Sequence, residues 1–260
     1  MKRDLVRVVP VLALVALLLG AWELYVDIAG VQGDLLPAPH AVAGALWDSG
    51  ALVWRNFAIT AEEVVLGLAL ALAAGFLLAV AIHLSPLLRR AAYPLAVGSQ
   101  AVPIPVIGVL LVFWWGFGIF PKLVVIALIC FFPVLVSTVD GLASVDPDQP
   151  KLLRTLDASR WQAFRFAELP AALPAALSGV RIALAVGVIG AFIAETTTPT
   201  SGAYSGLGRE IVVDAGGFQT PRAYAATVVL FAFAISCFYS LALAERRLAP
   251  WNVRRQGGTR

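Results

Sequence analysis

Charge is what this chain has least of. Asp, Glu, Lys and Arg make up 13% of its 260 residues, against 60% hydrophobic residues and a mean hydropathy of +0.87. A water-soluble domain carries roughly a quarter charged residues to cover its surface, so an ordinary globular enzyme is excluded. Cysteine is nearly absent as well. Cys130 and Cys237 lie inside apolar runs, where a thiol acts as a small hydrophobe, and they suggest neither a disulfide framework nor a metal site. The histidines are His40 and His83, and neither has a Cys, Asp or Glu at ligand spacing. Lysine occurs only at Lys2, Lys122 and Lys151, and none closes a G-x-x-x-x-G-K-[ST] loop, so the chain lacks the usual means of cradling a nucleotide phosphate. The charge excess of +3 has no basic face with interleaved aromatics behind it, which excludes nucleic-acid binding.

What is present is long apolar runs. A bilayer core about 30 Å thick takes roughly 20 apolar residues per helix, and helices satisfy every backbone amide internally. The runs predict an all-α polytopic membrane protein, one transmembrane domain over 1–260 with about six spans at 8–26, 61–82, 94–115, 123–139, 171–194 and 223–244. Pro103, Pro105 and Pro133 interrupt the third and fourth. The first run follows Lys2, Arg3 and Arg7 but lacks a small-x-small cleavage site, so it is expected to remain as an anchor. With both termini in the cytoplasm, fourteen of the 19 Lys and Arg fall inside, while Arg55, Lys122, Arg209 and Arg222 fall outside and Arg181 stays within the fifth span. That bias follows the positive-inside rule and predicts a multi-pass protein of the bacterial plasma (inner) membrane. Outside, 41–54 reads as an interfacial helix or a linker anchored by Trp47 and Trp54, and 196–222 as a flexible or re-entrant loop.

The longest polar stretch on the inner side is 140–170. Pro147 and Pro150 end the fourth span, a short helix is expected over 151–156, and a second over 158–167, with Asp157 as its cap and Pro170 opening a new element. At 100° per residue Trp161 and Phe164 share a face and Phe166 opposes them. Two explanations fit this spacing: an interfacial loop with its arginines on lipid phosphate, or a helix that meets a cytoplasmic partner.

The stretch L-D-A-S-R-W-Q-A-F followed by L-P-A-A-L-P resembles the cytoplasmic "EAA" signature of permease subunits of binding-protein-dependent ABC importers. The family form is E-A-A, three residues, G, nine residues, I-x-L-P. Aligned on Leu169-Pro170, the nine-residue spacer 158–166 is kept, the glycine falls on Asp157, the E-A-A falls on Lys151, Leu152 and Leu153, and the isoleucine falls on Ala167. LLPAPHAV, AVPIPVIGVLLVFWWGFG, FFPVLVSTVDGL, SGLG and ERRLAPW, in that order, look like the nitrate, sulfonate, taurine and thiamine-precursor branch. The resemblance implies a cytoplasmic coupling helix in the groove of a separate ATPase. Arg154, Asp157, Ala158, Ser159, Arg160, Trp161, Phe164, Arg165, Leu169 and Pro170 would form it, with Trp161 and Phe164 filling the groove and Arg160 and Arg165 pairing with its acidic rim. It also implies two ATPase subunits, an external substrate-binding protein, a second permease copy and a lipid surround. No cofactor would be bound by this chain, since ATP and Mg belong to the ATPase. GVIGAFIAE and the DGL after the fourth span look closest to permeases for pyrimidine precursors of thiamine, although Thr196 and the insertion TTTPTSGAY depart from them. Sulfonate, taurine, nitrate or riboflavin-like solutes are the alternatives.

For the translocation path the candidates are Gln100, Pro103, Pro105, Arg181 and Glu195. The prolines break a backbone ladder that a water-lined cavity, or simple packing, must satisfy. Arg181 and Glu195 lie fourteen residues apart on the fifth span, about 21 Å along its axis, so they cannot pair within it. Snorkelling for Arg181 and an interfacial carboxylate for Glu195 compete with path roles, and the resemblance favours Glu195 facing the cavity. An ion-coupled secondary transporter would instead show midplane ionisable groups and an inverted repeat, and neither is visible in the sequence.

Overall fold

A computed structural model of the chain describes residues 2–33, 35–146, 148–198 and 205–248, and their side chains except at 2–8, 150, 154 and 242–248. Among them there is no strand. The helices are α1 (Lys2–Ala29), α2 (Pro39–Asp48), α3 (Gly50–Leu84), α4 (Pro86–Ser99), α5 (Ile104–Trp115), α6 (Ile119–Ala143), α7 (Asp148–Thr155), α8 (Arg160–Ala163), a π-helical turn Phe164–Glu168, α9 (Leu169–Thr197), α10 (Leu207–Gly216) and α11 (Thr220–Leu248).

Five of these, α1, α3, α6, α9 and α11, are long and apolar enough to cross a membrane. The core is α6 laid along both α9 and α3. Val125, Ile126 and Cys130 of α6 pack with Val64 and Ala71 of α3 and with Ala183 and Ala191 of α9. Small residues let the backbones meet, as membrane helices require in the absence of a hydrophobic drive. At Gly179 of α9 a Cβ would lie 2.6 Å from the carbonyl of Pro133 and 2.7 Å from Ser137 Cβ. Pro133 therefore sits inside an unbroken α6 instead of interrupting the span.

The expected third span is not one helix. α4 and α5 meet at 97° across a break at residues 100–103. Gln100, Ala101 and Val102 donate to Val97, Gly98 and Ser99 in tight i→i+3 bonds, and Pro103, which lacks an N–H and disfavours helical backbone before it, ends the ladder. Pro105 falls in the first turn of α5, where a missing N–H costs nothing. The bent pair still crosses the bundle. Leu84, just before α4, is held at the end of α3 near Arg160, while Lys122, just after α5, bonds Glu63. Glu63 and Leu84 are 21 residues apart on α3, about 31 Å.

The interfacial piece expected over 41–54 divides. α2 ends at Asp48 and the first turns of α3 take the rest, with Trp47 and Trp54 exposed. The loop expected over 196–222 contains α10, and its residues 199–204 lie outside the described set, as do Pro147, the end of ERRLAPW and Arg254, Arg255 and Arg260; the Arg154 side chain does too.

Candidate functional site

At one end of the bundle, α6 stops at Ala143 and α7 follows, opened by the Asp148 amide donating to Asp146 Oδ1 at 2.9 Å. α7 ends in a left-handed turn. Asp157 has φ +57°, and the Ala158 amide donates back to the Leu153 carbonyl at 3.1 Å, the six-to-one bond of a Schellman close. The position that holds glycine in the EAA form therefore holds a residue in a glycine-favouring conformation. Asp is one of the few side chains that tolerate it.

Asp157 does not cap the next helix. Ser159 does: its hydroxyl accepts from the Gln162 amide at 3.3 Å, and Gln162 Oε1 accepts from the Ser159 amide at 2.7 Å. The second helix is also shorter than expected, since after Ala163 it widens into the π turn. The Leu169 amide reaches the Phe164 carbonyl, five residues back. Pro170 follows without an N–H, and a widened turn relieves the clash of its ring with the carbonyl four residues before it. Pro170 falls in the first turn of α9 as expected, and α9 continues from α8 and the π turn as one run, Arg160–Thr197, of 38 residues.

Trp161 and Phe164 do share a face, with ring centroids 5.4 Å apart, but their surroundings differ. Phe164 is 2% exposed, packed with Leu142, Ala172, Leu84, Val80 and Leu169, so it cannot fill a partner's groove without leaving this core. The outward side chains are Trp161 at 58% and Phe166 at 68%, together with Leu152, Leu156 and Arg165. Arg160 Nη2 donates to the Leu84 carbonyl at 2.8 Å, capping the last turn of α3 instead of standing wholly free for an acidic rim. Beside it His83 Nε2 meets Glu168 Oε2 at 2.7 Å. No sequence spacing signals a contact between residues 85 apart.

The opposite end of the bundle holds a polar cluster of which the sequence marked only Glu195. Lys122 is not in a loop but in the first turn of α6, 1% exposed, and its Nζ donates to Glu63 Oε1 at 2.8 Å, with Glu63 wholly buried. Glu195 of α9 is buried beside them and interacts electrostatically with both. Its carboxylate accepts from Thr60 Oγ1 at 2.6 Å, from the Gly208 amide and from the Arg209 amide at 3.2 Å, while Thr60 Oγ1 accepts from the Leu207 amide at 2.8 Å. Farther along α10, Asn56 Nδ2 donates to Glu210 Oε2 at 2.9 Å, and Arg222 pairs with Asp214, its Nε at 2.7 Å. The removal of Glu210 from water, with the charge of Asp214 next to it, raises its carboxyl above the usual carboxylate range, against the pull of Arg222 and Asn56. Besides Glu195, the sequence signal was Glu62-Glu63 at the head of an apolar span.

Of the expected path residues, Gln100 lies exposed at the bend between α4 and α5, with Pro103 and Pro105 shaping it, and Arg181 lies exposed on α9. Glu195 is separated from them, buried in the polar cluster. Among the described residues no group of three or more His, Cys, Asp or Glu could hold a metal ion.

Comparison with known proteins decides what this architecture belongs to. Residues 67–250 match the model of the binding-protein-dependent transport system inner membrane component. The chain belongs to that family. The formylaminopyrimidine transport permease ThiX of Halalkalibacterium halodurans is 33% identical over 98% of this chain and 100% of its own length. The riboflavin transport permease RibX of Chloroflexus aurantiacus is 32% identical, covering 91% and 88%. The taurine permease TauC of Escherichia coli is 32% identical over 91% and 87%. A crystal structure of an amino acid ABC transporter shares the fold at a TM-score of 0.61, 16% identity, and coverage of 78% of this chain and 96% of that one. This permease is thus a transport subunit of a bacterial inner-membrane ABC importer, not an enzyme, and its family implies ATPase and substrate-binding partners.

Proposed function

We propose that the permease forms, with a second copy of itself, the translocation path for a small polar solute handed over by an external binding protein. Both termini face the cytoplasm, and lipid surrounds the exposed apolar faces of α1 and α11. ATP and Mg are bound by the partner ATPase. Segment 148–168 is the contact with that ATPase: Trp161, Phe166, Leu152 and Leu156 offer apolar anchors, Arg165 and Arg154 supply charge, and Asp157, Ala158 and Ser159 shape the turn. Phe164, Leu169, Pro170 and Arg160 hold the segment against the ends of α3 and α6. The bend at Gln100, Pro103 and Pro105 and the face of α9 bearing Arg181 line the path.

The observation that carries this is the unbroken run from Arg160 to Thr197, which turns a push on the coupling turn into movement of a core helix. The solute we favour is a pyrimidine precursor of thiamine, supported by the match to ThiX over 98% of this chain and the whole of that one. Riboflavin and taurine permeases match nearly as well, so sulfonates, taurine or a flavin are the other candidates.

The assembly is tested by purifying the tagged permease in mild detergent with its co-expressed ATPase. Recovery of a complex with two copies of each is expected, and a permease that brings down no ATPase would refute the proposal. The solute is tested by titrating formylaminopyrimidine, taurine and riboflavin onto the cognate binding protein. Binding of taurine or riboflavin alone would overturn the pyrimidine assignment.

A further inference from the structure

Two helices run the depth of this chain and are tied to each other at both ends. At the inner end His83 and Leu84 of α3 hold Glu168 and Arg160 of the coupling segment. At the outer end Thr60 of α3 bonds Glu195 of α9. Glu168 and Glu195 lie 27 residues apart on the continuous run, about 40 Å.

The outer tie also takes in a third element. The same carboxylate oxygen that faces Arg209 receives the Gly208 amide, and the Thr60 hydroxyl receives that of Leu207, so the first turn of α10 is bound to α3 and α9 through one acid. The SGLG sequence makes room for this. Gly206 has an extended backbone, φ −91°, that any residue adopts; what its missing side chain provides is space, because a Cβ would collide with Glu195 and lie 2.6 Å from Thr60 Oγ1. At Gly208 a Cβ would lie 2.8 Å from Glu195 Oε2. Lys122, bonded to Glu63, lies beside the acid. An apolar seat would hold α10 by area and leave it free to slide, whereas a buried carboxylate with converging donors sets its register and orientation.

We infer that Glu195 is a positioning residue for import: it fixes the start of the outer helix α10, so that contact made on α10 from outside is delivered to the helix whose inner end is the coupling turn. This rests on the proposed function, in which a binding protein meets the outer side and an ATPase the inner.

The test uses the full complex of permease and ATPase in proteoliposomes, with Glu195→Gln and, since that variant alters a buried acid, also the milder Thr60→Val. Hydrogen exchange is read at the Gly208 and Arg209 amides, alongside the ratio of binding-protein-stimulated to basal ATP hydrolysis. Glu195→Gln is expected to speed exchange at those amides about tenfold, with the rest of α9 unchanged, and to lower the stimulation ratio about tenfold. Thr60→Val shifts both in the same direction by less. Stimulation at the wild-type ratio in either variant overturns the positioning role alone, as does unchanged exchange in both. Absence of any ATP-dependent uptake by the wild-type complex overturns the import assignment and this inference with it.

Discussion

Two buried acids, Glu63 and Glu195, lie beside one lysine, Lys122, and that ratio sets an order of stabilities. Lys122→Met removes the cation between Glu63 and Glu195 and leaves two buried acids without it. Removing one partner of a buried pair costs about 3–5 kcal/mol, because the remaining charge stays desolvated and unpaired. Glu63→Gln should cost far less. It keeps an acceptor at 2.8 Å from Lys122 Nζ and leaves the lysine beside Glu195. The double variant should regain about half of what Lys122→Met loses, since only one acid is then left without a cation. The assay is thermal unfolding in detergent followed by size-exclusion fluorescence. For a chain of this size, 3–5 kcal/mol corresponds to a fall in Tm on the order of 10 °C. Equal losses for Glu63→Gln and Lys122→Met would refute this order, and a double variant no better than Lys122→Met would refute the coupling of the two acids through Lys122.

Asp157→Gly should stabilise the permease by about 1 kcal/mol, because it relieves a left-handed residue at an exposed helix close; a lower Tm in the same assay would contradict the assigned turn. Phe164→Ala should cost about 3–5 kcal/mol of stability, whereas Trp161→Ala should leave Tm nearly unchanged and abolish ATPase co-purification, and the opposite pattern would reverse their assigned roles. The Glu210 carboxyl is held above its ordinary range, so the fold favours its protonated form, and that contribution is present at low pH and lost as pH rises through the raised value. The Tm of the wild type should accordingly fall relative to Glu210→Gln from about pH 4 to pH 7, and parallel curves would refute it.

The sequence made the spans legible wherever some twenty apolar residues ran together, because the bilayer demands that length and little else. The third span escaped for a local reason. Pro103 announces a break but not its 97° angle, which depends on how α5 lies against α6 and α9. In the coupling segment the nine-residue spacer located the turn at Asp157 correctly, yet the cap moved two residues to Ser159, whose partner Gln162 completes a capping box that Asp157 cannot. Helix periodicity put Trp161 and Phe164 together; which of them is covered depends on Leu142 and Leu84, distant in sequence. The buried ions were the largest omission. Glu63 and Lys122 stand 59 residues apart, and each alone looks like an ordinary end-of-span charge. Glu195 was marked by its rarity in an apolar span, but its partners, the amides of α10, leave no trace in side-chain pattern.

The most direct test of the whole account is solute uptake into proteoliposomes containing the purified permease and its ATPase, with binding protein on the outside and ATP within. Uptake that needs all three proteins, needs ATP hydrolysis and disappears with Trp161→Ala is the predicted result. Uptake by the permease alone, driven by an ion gradient without the ATPase, would contradict it.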